Sequence, residues 1–396
     1  MKTNIDFSRP DFVFMLVWIF PLILLQFFEM SFFLQIEKIT YLLIIGNIIS
    51  FYLIYSFTKR VVKNKRINKI DNIFHDISKI KNFIKFLFII WGFFYLISIL
   101  YSNGLPLFWI LYGSSLSYVD FGIPTITGFL NMIRAFMSVL ALIIWFKTKE
   151  KKYFLLIFFL LVSAFIFEAS RGNGLVLLLH IVGCYFLFFR FGKLQIFKLS
   201  ISILLLILFL GIIEQYRYLR TESYNIEEKY EDIEFLNSSF GSLRLYAIPA
   251  ILYVTTPVQN LNYSLIDQRP AVNYPYHSIQ SLVPTFIRSK IFSENEKDYG
   301  DLLSEAYNTT SHYTPLIRDF GVFISFIITI IIQIIVSIFH IKSKFSNSKF
   351  HFLTYPALFM SVVLTPFNLF FTSLVVVFYP ILSYLFINYK KIILRI

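Results

Sequence analysis

Glu168 and Arg171 stand three residues apart in "FEASRGNGL" (167–175), with long apolar runs on either side. A carboxylate and a guanidinium beside a Gly-Asn-Gly turn can do two kinds of work. They can pair with each other at i,i+3 spacing. Alternatively, the arginine binds phosphate or carboxylate through its planar fork of donors while the glutamate accepts a proton. More groups of the same types follow. Arg217 and Arg220 in "RYLR" share a helix face, with Glu214 and Glu222 as their competing partners. Arg288, Lys290 and Arg318 add cations, and His312 adds a second proton acceptor beside Glu168. Asp319, Asp267 and Glu214 are further carboxylates within reach of the same chemistry. Tyr313 belongs to a dense set of tyrosines, a residue type that suits sugar rings and that also collects at membrane interfaces. Arg134 sits inside an apolar run, where a charge is costly unless paired or wet. Together these residues suggest recognition of a dense anion coupled to a proton transfer.

The elements that must position them are membrane helices. The chain has 396 residues, of which 57% are hydrophobic, 20% aromatic and only 15% charged. A soluble fold of this size needs far more polar surface. The expected fold is an all-α polytopic membrane protein forming one integral membrane domain over residues 1–396. Apolar runs place about ten transmembrane helices, at roughly 11–28, 39–58, 86–102, 125–146, 153–168, 174–189, 199–216, 320–340, 351–365 and 367–388. The first run follows Arg9 and lacks a small-residue cleavage site, so it reads as a retained helix.

The net charge of +13 does not imply nucleic acid, because lysine concentrates in short loops between apolar runs. Segment 59–85, "KTKEKK" (147–152), Arg190 to Lys198, Lys342 to Lys349 and the terminal Lys390, Lys391 and Arg395 all fall on one side of a ten-helix chain. By the positive-inside rule that side is cytoplasmic, as are both termini. Three segments then face outward: 103–124, the "EASRGNG" turn, and one large extracytoplasmic loop at 215–319. The large loop favours Arg over Lys, against the bias of the cytoplasmic loops. Within it, 243–257 is apolar, broken by Pro249 and too short to span, so it reads as an interfacial or re-entrant helix.

Several classes of chemistry lack their signatures. Cys184 is the single cysteine, so there is no disulfide framework and no cysteine metal cluster. His277 and His312 have no metal-ligand spacing, and no GxxxxGKS loop exists for a nucleotide. No metal and no cofactor is expected. His180 reads as a satisfied core histidine. The depth of the "EASRGNG" turn carries more weight. Its arms hold roughly 15 apolar residues each, a reach of about 22 Å against a hydrocarbon core of about 30 Å. Basic flanks hold both arms at the inner side, so Glu168 and Arg171 lie at or below the outer lipid–water boundary.

In these features the chain resembles the oligosaccharide repeat-unit polymerases, or O-antigen polymerases, of bacterial polysaccharide synthesis. The resemblance rests on "SRG" (170–172) at an outer hairpin and "RYLR" (217–220) opening a large outer loop. "LVPTFIRSKIF" (282–292) and "YTPLIRDFGVF" (313–323) complete it. The chain departs from the family pattern at "RSKIFSEN" (288–295), which lacks the Trp and Lys-Pro common there. The resemblance implies a metal- and nucleotide-independent glycosyltransferase of the bacterial cytoplasmic membrane whose active site faces outward. Its partners would be polyprenyl-diphosphate-linked oligosaccharide and membrane lipid, with a chain-length regulator and a flippase of the same pathway. Arg171, Arg217, Arg220, Arg288, Arg318, Arg134, Lys290 and Tyr313 would bind diphosphate or glycan, with His312 or Glu168 as base. Two other enzyme or transport readings stand beside it: a ligase moving finished glycan from the same carrier, and a transporter or flippase of lipid-linked sugar. A structural partner within a polysaccharide assembly complex is the third.

Overall fold

A computed structural model of the chain describes residues 5–27, 33–62, 74–116, 118–189, 244–267, 270–291 and 309–393, with the isolated positions 192, 195, 198 and 302. Every regular element among these residues is helical. The first half holds α1 (Pro10–Phe27), α2 (Lys38–Val62), α3 (Ile77–Tyr101), the short α4 (Pro106–Tyr112), α5 (Ile126–Thr148), α6 (Lys151–Val162) and α7 (Arg171–Phe188). The second half holds α8 (Arg244–Ile266), α9 (Thr285–Ile291), α10 (Tyr313–Phe345), α11 (Lys349–Val363), α12 (Leu374–Val377) and α13 (Tyr379–Ile393). Among the described residues, six stretches are long and apolar enough to cross a membrane: α1, α2, α3 running into α4, α5, α7 and α10. The expected helix at 199–216, together with Arg217 and Arg220, lies outside the described residues.

Burial sorts these helices by what covers them. On α3, Phe86, Ile89, Phe93, Leu96 and Leu100 are exposed at spacings of three and four. Leu53, Phe57 and Val61 on α2 and Phe323, Ile327, Ile331 and Ile334 on α10 form similar stripes. Long apolar stripes facing outward would be unstable in water and are what hydrocarbon covers. α5 is the opposite case: every residue from Arg134 to Ile144 is buried. It packs against α3, α6 and α7, and so forms the centre of its half of the bundle.

The basic segments meet at one end of this bundle. Lys344 Nζ contacts Asp6 at 2.5 Å, and Lys81 reaches Glu150 at 2.5 Å. Lys79 donates to the Ile387 carbonyl at 2.7 Å, and Lys147 donates to that of Phe74. Glu150 is pushed down to about 2 by hydrogen bonds from Lys152 and Lys81. These contacts explain why α3 begins at Ile77, well before the expected start near 86. Asp76 accepts from the Lys79 amide at 2.9 Å, and the lysines of the first turns find partners on neighbouring elements. Hydropathy sees only a basic loop there, so the expected loop 59–85 is shortened from both sides by helix.

Three further expectations change. The interfacial helix at 243–257 is instead part of α8, whose 23 residues reach about 34 Å. It continues through polar sequence because its amides are satisfied internally. Asn262 accepts from Thr40 Oγ1 and the Glu37 amide, both at 2.8 Å, and Gln259 bonds both backbone groups of Leu34. The helix expected at 320–340 begins at Tyr313 and breaks at Gly321, where φ is 75° and ψ 174°. His312 lines one cavity with Thr329, Gln333 and Val336, although a straight helix would hold it about 32 Å from Gln333. The chain from 312 to 320 therefore folds back along α10, and only glycine reaches that backbone conformation cheaply. Finally, 367–388 is not one helix. A 3-10 turn at Phe370–Thr372 and the four-residue α12 precede α13.

Candidate functional site

The turn between α6 and α7 is built around a buried ion pair. Arg134 Nη1 lies 2.7 Å from Glu168 Oε1, and Nη2 lies 3.1 Å from Oε2, a bidentate fork. Arg134 is 1% exposed and Glu168 4%. Asn131, one helical turn before Arg134, accepts from Nη2, and Ser163 Oγ accepts from Nη1 at 3.3 Å. Asn173 donates its amide to Glu168 Oε2 at 3.2 Å. Of the two readings of Glu168, the i,i+3 pair with Arg171 is not the one the geometry shows: the carboxylate reaches into the bundle, and its partner comes from α5.

Local backbone makes that reach possible. α6 ends in a π-turn at Ser163–Phe167, in which the Glu168 amide donates to the Ser163 carbonyl at 3.1 Å. One extra residue in the turn swings Glu168 inward, a common device at functional sites. Ala169 then takes a left-handed φ of 48°, at a cost of about 1 kcal/mol for a residue with a Cβ. Ser170 caps α7 by accepting from the Asn173 amide at 3.3 Å. Gly174 has no room for a side chain, because a Cβ there would meet the Phe165 ring at 2.4 Å. The ion pair, the π-turn and the cap fix where α7 starts, and Arg171 is its first residue. Arg134 is eight residues into α5, so the turn lies about 12 Å below the end of that helix.

Arg171 is half-buried and stands close to Tyr253 of α8. Burial pushes the Tyr253 phenol up; the positive charge of Arg171 partly offsets this, and Tyr118 adds to the rise. Tyr118 belongs to a 3-10 turn, Tyr118–Asp120, in the expected outer segment 103–124. Tyr253 also stacks on Phe367, from the turn after α11, with ring centroids 5.2 Å apart. Four separate segments converge there: the start of α7, the middle of α8, the 118–120 turn and the 364–368 turn. Asp120, two residues beyond Tyr118, is exposed. Sequence reasoning passed over Tyr118, Asp120 and Tyr253, as well as Asn131, Ser163 and Asn173. Only Asn131, at i−3 from Arg134, and Asn173, inside the opening motif, had a signal that could have found them.

The remaining expected residues divide by exposure. His312 is buried by Trp18, Phe14 and Tyr313, and both its amide and Nδ1 face the Thr365 carbonyl, at 2.9 and 3.2 Å. Tyr313 is wholly buried against Trp18. A ring enclosed in this way cannot meet a substrate hydroxyl, and a carboxylate saturated by Arg134 and Asn173 has no vacancy for a proton in transit. The base role expected of His312 and Glu168, and the ligand roles expected of Arg134 and Tyr313, therefore give way to structural ones. Asp319, also fully buried, accepts from the His277 and Ser278 amides and the Ser278 hydroxyl, and so staples segment 270–280 to α10. Arg318 is 4% exposed and meets Asp267 at 3.5 Å. Arg288 is half-buried and Lys290 exposed on α9, with no described contact joining either to Arg171. Among the described residues, no group of three or more His, Cys, Asp and Glu side chains is placed to hold a metal ion. No family model, curated protein or solved structure matches the chain.

Proposed function

We propose that this protein polymerises polyprenyl-diphosphate-linked oligosaccharide repeat units on the outer face of the bacterial cytoplasmic membrane. The observation that supports this reading is that Arg171 and Tyr118 both lie near enough to Tyr253 for their charges to act on its phenol, at a turn about 12 Å below the end of α5. A cation beside two phenols at that depth, reached from a membrane-embedded surface, suits a lipid-borne diphosphate joined to a sugar. In this reading the basic end of the bundle is cytoplasmic, in line with the positive-inside rule, and the Arg171 end opens outward.

In the reaction an acceptor sugar hydroxyl attacks the anomeric carbon of the donor glycan. The bond from that carbon to the phosphate oxygen breaks, and polyprenyl diphosphate leaves with the bonding electron pair. Negative charge grows on the leaving oxygen, and Arg171 is placed to stabilise it. Loss of one such group typically costs about 3–4 kcal/mol of barrier lowering. The proton of the acceptor hydroxyl needs an accessible carboxylate. Asp120 fits, because it shares the 3-10 turn of Tyr118 and is exposed. Asp267 does not fit a diphosphate at Arg171, since it lies fourteen residues along α8 from Tyr253, about 21 Å.

The test is Arg171→Ala and Asp120→Asn in a strain that depends on this chain. Both variants are expected to remain in the membrane and to lose long-chain glycan while still capping the acceptor with single repeat units. Retained single-unit capping separates a polymerase from a ligase. A normal ladder of chain lengths from Arg171→Ala would overturn the assignment.

A further inference from the structure

We infer that the basic end of the bundle carries a second site, which binds the phosphate of an anionic membrane lipid where α2, α10 and α11 meet. The inference rests on the apolar spans and is independent of glycosyl transfer. A cavity of about 220 Å³ opens at this junction. Val62, Ile341 and Phe345 form its apolar side, and Lys342, Ser346, Ser348 and His351 its polar side.

Among the described residues, no carboxylate lines this cavity. Lys344, two residues on, is paired with Asp6 at 2.5 Å, whereas no described carboxylate pairs with Lys342. Lys342 is close enough for its charge to act on the His351 ring. His351 Nδ1 lies 2.6 Å from Ser348 Oγ, which also accepts from the His351 amide. In the tautomer where the hydroxyl donates to Nδ1, the ring proton sits on Nε2 as a donor. An ammonium and an imidazole N–H at one cavity match two acceptor oxygens of a phosphate, while the Ser346 and Ser348 hydroxyls spend their protons on the Lys342 carbonyl and the His351 ring.

The apolar side distinguishes a lipid from free phosphate. Val62 follows the exposed stripe Leu53, Phe57 and Val61 on α2, with Phe57 69% and Val61 68% exposed. An acyl chain lying along that stripe continues directly from a headgroup in the cavity. A free phosphate would leave Val62, Ile341 and Phe345 wet.

The experiment uses the full chain purified in detergent, titrated with phosphatidylglycerol, phosphatidylcholine or inorganic phosphate. A ligand that binds only the folded state raises the unfolding midpoint. Phosphatidylglycerol is expected to raise it and phosphatidylcholine to leave it nearly unchanged. Lys342→Gln should weaken the apparent phosphatidylglycerol affinity about fivefold, the equivalent of the ~1 kcal/mol that one lysine contributes at an anionic surface. Lys342→Arg should keep the effect, so loss of folding in one variant does not end the test. Lys149→Gln, at the same end but away from the cavity, should bind as the unaltered chain does. Equal binding by Lys342→Gln, or equal weakening by Lys149→Gln, overturns the site. An equal midpoint rise from inorganic phosphate alone overturns its assignment to a lipid. Polymer synthesis is not read here, so failure leaves the proposed glycosyl transfer untouched.

Discussion

Among the described residues, two arginine–carboxylate pairs lie away from the basic end of the bundle, and they differ in burial and geometry. Arg134 and Glu168 are both sealed, meet through two bonds at 2.7 and 3.1 Å, and have Ser163, Asn131 and Asn173 around them. Arg318 and Asp267 touch once, at 3.5 Å, and the Asp267 side chain is 30% exposed. The first pair excludes water and every other ligand. In the second the Asp267 side chain is partly exposed, so the attraction between these two groups is screened more than in the first. The first pair works as a fixture of the fold.

Replacing one partner of each pair should give the widest separation. Glu168→Ala leaves a buried guanidinium uncompensated and is expected to cost about 3–5 kcal/mol. The readout is thermal unfolding in detergent, with loss of membrane-inserted protein in cells. The pair itself need not be net stabilising, because both charges were desolvated to form it. Arg134→Met combined with Glu168→Leu should therefore recover much of the loss. If the double variant is as unstable as Glu168→Ala, the pair contributes more than its desolvation costs.

Two glycine substitutions test the backbone around each pair. Gly174→Ala drives a Cβ to 2.4 Å from Phe165 and is expected to destabilise by about 1–3 kcal/mol, measured by the same unfolding assay. Gly321→Ala meets open space, but at φ 75° and ψ 174° it carries about 1–3 kcal/mol of backbone strain. It should also loosen the return of residues 312–320 along α10, read as faster proteolysis near Gly321. The smallest effect is expected from Asp267→Asn, which should cost no more than about 1 kcal/mol. A cost as large as that of Glu168→Ala would mean that the two pairs are alike after all.

Much of this architecture could be read without coordinates. Apolar runs located α1, α2, α5 and α7 to within a few residues, because a helix in hydrocarbon must satisfy its own backbone and announces itself by length. The short arms around "EASRGNG" showed that Glu168 and Arg171 are not out in bulk solvent. Hydropathy failed where polar sequence is helical for tertiary reasons. The first turns of α3 and the second half of α8 contain lysines and amides whose partners lie far along the chain, such as Lys79 on Ile387 and Asn262 on Glu37. The split of the last apolar run at 365–368 matches the turn after Val363, but the same blindness missed the 3-10 turn at Phe370–Thr372 inside the expected helix 367–388, which is held by contacts such as Ser281 with the Thr372 carbonyl.

The candidate site divides along the same line. Residue type alone marked Arg171 as a cation in an unusual place and Arg134 as a charge that is costly unless paired or wet. Burial of a charge is expensive wherever it occurs, and that rule needs no coordinates. Which carboxylate Arg134 meets, and whether Arg171 then faces a ligand or a partner, depended on a π-turn of one extra residue. Pairing is a property of distance in space. Only the packing of α5 against the end of α6 could bring Glu168 to Arg134 and leave Arg171 beside Tyr253.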